Sequence, residues 1–305
     1  MNRQKAFTLV ELLVVISIIA MLLAVLIPAL TRARAQARRV ICSSRIRQSL
    51  VAVTMVGNNA PDGRLPAGGI HTPGNDFDDA ISIMFEDFLK IGSYVGGNVK
   101  FIDSTVNTSI IAARKAGYNL IKSGVMKIFC CPEVEQLKLS GQNPRWIDLI
   151  LNMEAERYPC TLMLGSYIVE RIGYDYLAGF ETYKWSIIAT GSLPQYAVKW
   201  ESADKITDPG SRVIMTDRTR WVPEAMDWVT APIREVPHTR QGYFTKGDPT
   251  IDPRKEIVGA GTTVGRLDGS VRYEQLQNTQ PRQTLFWSTD GEKTGSYHFG
   301  DYDFF

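Results

Sequence analysis

The run from Ala6 to Leu30, AFTLVELLVVISIIAMLLAVLIPAL, constrains this chain more than any other stretch. It holds a single charged residue, Glu11. As a helix rising 1.5 Å per residue it would reach about 37 Å, enough to cross the hydrocarbon core of a bilayer. Thr8 and Ser17 can satisfy their hydroxyls on their own helix. Glu11 cannot hide in that way. A carboxylate in hydrocarbon costs about 2.5–3.5 kcal/mol on insertion scales, so Glu11 requires a partner and is the first candidate functional residue.

The residues before the run include Arg3 and Lys5 and no acid. A basic start followed by a long apolar segment has the look of an export signal, but the small residue, Ala6, precedes the apolar run instead of following it. The string Ala6-Phe7-Thr8-Leu9-Val10-Glu11 resembles the prepilin signal of type IV pilins and type II secretion pseudopilins, with Ala6 where Gly is usual. That resemblance implies cleavage by a prepilin peptidase between Ala6 and Phe7 and N-methylation of the new Phe7 amine. It also implies pairing of Glu11 with the Phe7 amine of a neighbouring subunit, which offsets the desolvation of both charges. An ordinary signal anchor with a stray Glu is the plainer alternative.

On this reading the chain divides into a leader (1–6), a transmembrane and polymerisation helix (7–30), an amphipathic stem (31–57) and a globular head (58–305). Pro28 removes a backbone hydrogen bond and predicts a helix break. Along the stem, Leu30, Ala33, Ala37, Ile41, Leu50 and Thr54 recur at three- and four-residue spacing and predict the packed stripe. Six arginines (Arg32, Arg34, Arg38, Arg39, Arg45 and Arg47) occupy the other faces. They read as a solvated face, or more pointedly as contacts to anionic lipid or acidic neighbours. The positive-inside rule alone would keep this cluster in the cytoplasm; the prepilin signal places it outside and is far more specific.

The whole chain has 34 basic and 32 acidic residues. With two basic residues in the leader and six arginines against Glu11 in the segment 7–57, the head retains 26 basic and 31 acidic residues. An acidic head without a basic, aromatic-rich patch argues against nucleic-acid binding. After a Gly/Pro-rich stretch from Gly57 to Asp76, helices are predicted over Phe77–Ile91, Thr108–Lys122 and Arg145–Glu156. Strands are predicted around Met126–Pro132, within Tyr158–Phe180, at Arg212–Asp217, and as a ladder through Ile257–Val264 and Gly265–Tyr273 with Asp268-Gly269 near its turn. The expected fold class is α+β: a long N-terminal helix, part membrane anchor and part stem, packed on an antiparallel sheet in the head.

The four cysteines, Cys42, Cys130, Cys131 and Cys160, allow three full pairings. In an exported, oxidising setting the expected disulfide joins Cys130 or Cys131 to Cys160. No C-x-x-C occurs and there are three histidines, His71, His238 and His298, which argues against zinc. No cofactor is expected, apart from the calcium ion that related heads hold in a late loop. Asp217, Asp268, Asp290, Asp301 and Asp303 are its candidate donors, without EF-hand spacing.

Parts of the head resemble a large-headed, pseudopilin-like subgroup. The residues concerned are Cys42, Arg47-Gln48, Cys131-Pro132, Gly173-Tyr174, Asp217 and the late Asp268-Gly269. The histidines that often flank that late Asp-Gly are missing. No hydrolase elbow, metalloprotease helix or P-loop is present, so no catalytic residue is assigned and the protein reads as a non-enzyme.

The family resemblance implies a structural subunit of a pilus-like or secretion-pseudopilus-like filament. It would be anchored in the inner membrane by one helix, with its head in the periplasm, and would enter a helical homo-oligomer at the cell exterior or in the periplasm. Its partners would be the prepilin peptidase, membrane lipid, and an inner-membrane assembly platform with its ATPase. The rival is an anchored envelope protein with an enzymatic or carbohydrate-binding head, to which Trp146, Trp185, Trp200, Trp221, Trp228 and Trp287 could contribute.

Overall fold

The structure is a computed structural model that describes residues 8–68, 82–96, 125–133, 160–164, 167–179, 203–222, 233–239, 242–244, 251–257, 259–279, 281–283 and 302–304. Helix α1 runs from Leu9 to Asn59. Thr8 caps it: the Thr8 side chain accepts from the Glu11 N–H at 3.3 Å, and the Glu11 carboxylate accepts from the Thr8 N–H at 2.9 Å and from its hydroxyl at 2.7 Å. The helix ends where Ala60 turns extended, just before Pro61.

The predicted break at Pro28 is not present; α1 is continuous through it. Proline removes one intrahelical bond, but the flanking apolar residues favour helix on both sides, and the Thr31 hydroxyl donates to the Ile27 carbonyl at 2.9 Å. The stem's buried stripe agrees with the predicted one at Leu50 and departs from it higher up. Ala35, Cys42, Ile46, Ser49, Leu50, Val53 and Val56 are buried, whereas Ala33, Ala37 and Ile41 face outward. The two stripes differ by a rotation about the helix axis. Spacing gives a period; the facing sheet selects the face.

Three sheets make up the described head. The central one is four-stranded, in the order β10 (Val271–Gln275), β9 (Gly261–Arg266), β5 (Val213–Asp217), β4 (Tyr174–Tyr176), with every pair antiparallel. Helix α1 lies across β5, β9 and β10. Gly265 lets the sheet approach: a Cβ there would stand 2.6 Å from Ile46 Cγ2 and 3.0 Å from Leu50 Cδ1. The β9–β10 turn contains Gly269 at φ 80° and closes through Arg266 N–H to Ser270 O at 2.9 Å.

A second, three-stranded sheet has the order β1 (Ser82–Met84), β3 (Tyr167–Arg171), β2 (Cys160–Leu164). The third has the order β11 (Pro281–Gln283), β12 (Tyr302–Phe304), β6 (Arg220–Val222), β7 (Ile233–Thr239), β8 (Gly242–Phe244).

The core joins Cys42, Ile46, Leu50 and Val53 of α1 to Phe85, Phe88 and Ile91 of α2 (Phe85–Tyr94), to Phe129, and to Tyr174, Tyr176, Ile214 and Met215 of the central sheet. Phe88 and Phe129 meet edge to face at 6.0 Å. Two predicted elements are corrected. The residues 82–84 form a strand before α2 begins, and Val125–Phe129 is a 3-10 turn instead of a strand, leaving Cys130 in an isolated bridge to Gly173. The helices predicted over 108–122 and 145–156 lie outside the described residues.

Candidate functional site

The upper half of α1 meets no other element among the described residues. Its most apolar eighteen-residue window has a mean hydropathy of 3.1 and none of it is buried. Glu11 is exposed on this surface, and its partners among the described residues are the neutral donors of Thr8. Ala6 and Phe7 lie outside the described residues.

The lower half of α1 is clamped to the head, and arginines do much of the clamping. Arg38 Nε donates to Glu133 Oε1 at 2.6 Å. Arg39 donates to the carbonyls of His238 and Gly259, both at 3.1 Å, and its guanidinium lies 4.5 Å from the centre of the Tyr273 ring. Arg45 donates to the Cys130 carbonyl at 2.6 Å. These three arginines therefore bind this chain's own head, which corrects their reading as part of a solvated or lipid-facing surface.

Beneath the arginines four distant residues converge. Cys42 lies on α1, Cys131 follows the 3-10 turn, Asp217 ends β5 and His238 lies on β7; all four are fully buried. One ligand atom from each lies within 4.8 Å of all the others. Cys42 Sγ donates to Cys131 Sγ at 3.0 Å, Cys131 Sγ is 3.5 Å from His238 Nε2, and His238 Nε2 is 3.2 Å from Asp217 Oδ2. Asp217 Oδ2 also accepts from the Thr263 N–H of β9 at 2.8 Å.

Glu133 supports the histidine from behind. Its Oε2 accepts from the His238 N–H at 2.8 Å, and its Oε1 is 3.6 Å from His238 Nδ1. His238 holds φ at 55°, the single positive φ among the described non-glycine residues. That conformation is uncommon for a side-chain-bearing residue and is held here by its surroundings.

The electrostatics follow from this packing. Burial pulls the His238 imidazolium down, but the Asp217 charge and bonds to Asp217, Cys131 and Glu133 outweigh it and leave the pKa well above the ordinary range. Burial pushes the Cys131 thiol up, and its contacts with Cys42 and His238 bring it down to about 7. Burial, reinforced by Cys131 and Asp217, raises Cys42. Glu133 is raised by burial and lowered by more through His238 and Arg38, for a net depression.

The sulfur against Cys131 is that of Cys42, in place of the predicted partner Cys160, whose side chain lies outside the described residues. Of the aspartates proposed for calcium, Asp217 and Asp268 have described side chains. Asp217 is grouped with sulfur and imidazole donors, whereas calcium takes oxygens. Asp268 accepts from the Ser270 N–H at 2.8 Å in the β9–β10 turn. Asp303 lies on β12 opposite Arg282 and Arg220, and Asp290 and Asp301 lie outside the described residues. His238 and Glu133 were missed by sequence reasoning; nothing in their local sequence relates them to Cys42, some two hundred residues from His238 in the chain.

An apolar anchor helix continued as a stem and packed on an antiparallel sheet defines a pilin-like subunit. Residues 1–27 match the Prokaryotic N-terminal methylation motif. The chain is 35% identical over 107 residues to the type IV wide pilus major component of Thermus thermophilus, an alignment spanning 82% of that protein and 33% of this chain. No solved structure matches the chain. The chain belongs to the type IV pilin family, as a structural pilus or pseudopilus subunit.

Proposed function

We propose that the protein is made as a membrane-anchored prepilin with its head in the periplasm, and that a prepilin peptidase cuts it between Ala6 and Phe7 and methylates the Phe7 amine. An inner-membrane platform and its ATPase then draw it into a helical filament, and the protein itself carries no catalytic function. The observation that carries this reading is the bare upper half of α1, whose apolar surface meets nothing among the described residues. Lipid covers such a surface before assembly, and the same surface of neighbouring copies covers it afterwards.

Glu11 gives that association its register. The Thr8 donors satisfy hydrogen bonds but bring no positive charge. A methylated Phe7 ammonium from the next subunit supplies one, so the pair forms at one axial offset and at no other. Mass spectrometry of the N-terminal peptide from assembled material tests the reading. It should begin at methylated Phe7; a chain starting at Met1, or cut beyond the apolar run, would overturn it.

A further inference from the structure

We propose that Cys42, Cys131, Asp217 and His238 form a structural zinc site that fastens the stem helix to the head. The donor set is two sulfurs, an imidazole nitrogen and a carboxylate oxygen, converging from four elements on one buried point. With zinc–sulfur bonds of about 2.3 Å and zinc–nitrogen or zinc–oxygen bonds of about 2.0–2.2 Å, a tetrahedral site has S···N edges near 3.6 Å and N···O edges near 3.4 Å. The corresponding separations are 3.5 Å between Cys131 and His238 and 3.2 Å between His238 and Asp217. The sulfur pair stands closer, at 3.0 Å, as donor and acceptor. Binding removes both thiol protons, and that edge opens by about 0.8 Å to reach the tetrahedral value.

The surroundings also suit a metal. His238 turns Nε2 toward Cys131 and Asp217, while Nδ1 is buried without a hydrogen-bond partner and faces Glu133 Oε1 at 3.6 Å, the side from which a carboxylate orients a metal-bound imidazole. Asp217 Oδ1 is buried beside the cluster without a hydrogen-bond partner. The charges balance. Two thiolates and Asp217 around a divalent ion leave one negative charge, which Arg39 offsets, while Arg38 is matched by Glu133.

A Cys–His–carboxylate set also occurs at catalytic thiols, but those must meet a substrate, and all four of these side chains are fully buried. A Cys42–Cys131 disulfide would use the sulfurs alone and would give no reason for His238 and Asp217 to converge on the same point. As a closed four-ligand site the metal would act in folding, joining segments that only the tertiary structure brings together.

The test uses the full chain purified in mild detergent. Metal analysis should find one zinc per chain. Cobalt exchanged into the chain should give the visible bands of a tetrahedral ion with thiolate-to-cobalt charge transfer. Cys131→Ser should lose the metal, His238→Ala and Asp217→Asn should shift the cobalt bands, and Cys130→Ala should leave both readouts unchanged. Where a variant fails to fold, the wild-type zinc content and cobalt spectrum decide. Three results would overturn the site: wild-type chain without zinc and unable to take cobalt, a Cys42–Cys131 disulfide in non-reducing peptide maps, or cobalt bands indifferent to His238→Ala and Asp217→Asn.

Discussion

Leu50→Ala should release the stem from the head. Leu50 is 1% exposed, and its Cδ carbons lie against the β9 backbone at Gly265. The substitution removes three carbons, about 2.4 kcal/mol of transfer free energy at roughly 0.8 kcal/mol per group. The vacated space cannot close easily, because its floor is a strand paired on both sides, by β5 and by β10. A cavity contribution therefore adds to the transfer loss, for a total of about 3–4 kcal/mol. That is a loss of more than about a hundredfold in the folding equilibrium. The assay is urea unfolding of the full chain in mild detergent, followed by near-ultraviolet circular dichroism, which reports head packing rather than the anchor helix. Ile41→Ala is the control: it lies on the same helix but is 44% exposed, and should cost less than about 0.5 kcal/mol. Equal midpoints for the two variants would refute the assignment of the buried stripe.

Three further outcomes are expected. Glu11→Val should insert in the membrane and fold its head as the wild type does, yet polymerise poorly; normal filament yield on fractionation would show the Glu11 pairing to be dispensable. Gly265→Ala should destabilise the head by about 1–3 kcal/mol, because its Cβ would fall 2.6 Å from the stiff Ile46 Cγ2; an unchanged urea midpoint would contradict the close approach. Hydrogen bonds from the Ser270 hydroxyl and N–H hold the Asp268 carboxyl below its ordinary value of 3.8. A depressed folded-state pKa stabilises the turn above the ordinary aspartate range and ceases to do so as pH falls through the folded value. The protection of the Ser270 amide, its exchange rate relative to the intrinsic rate at each pH, should therefore fall only below that range, and a fall at neutral pH would count against the bond.

The sequence by itself determined the anchor, the stem and the family. The signal there is local: an unbroken apolar run, one carboxylate at a fixed place in it, and a helix period. Such features are read from neighbours in the chain and need no fold to interpret them. The β9–β10 ladder and the strand ending at Asp217 were legible for the same reason, since alternation and an Asp-Gly turn act over a few residues.

The tertiary structure decided which side of α1 is buried. A helical period is the same for any rotation about the axis, and Gly265 is what admits Ile46 and Leu50 rather than Ile41. The structure also turned Arg38, Arg39 and Arg45 from surface charges into contacts with the head. Cys42, Cys131 and Asp217 could be singled out one at a time, but no spacing rule joins residues so far apart in the chain. His238 carried no local signal at all, because its role depends on β7 bringing it to the end of β5, and only folding sets that distance.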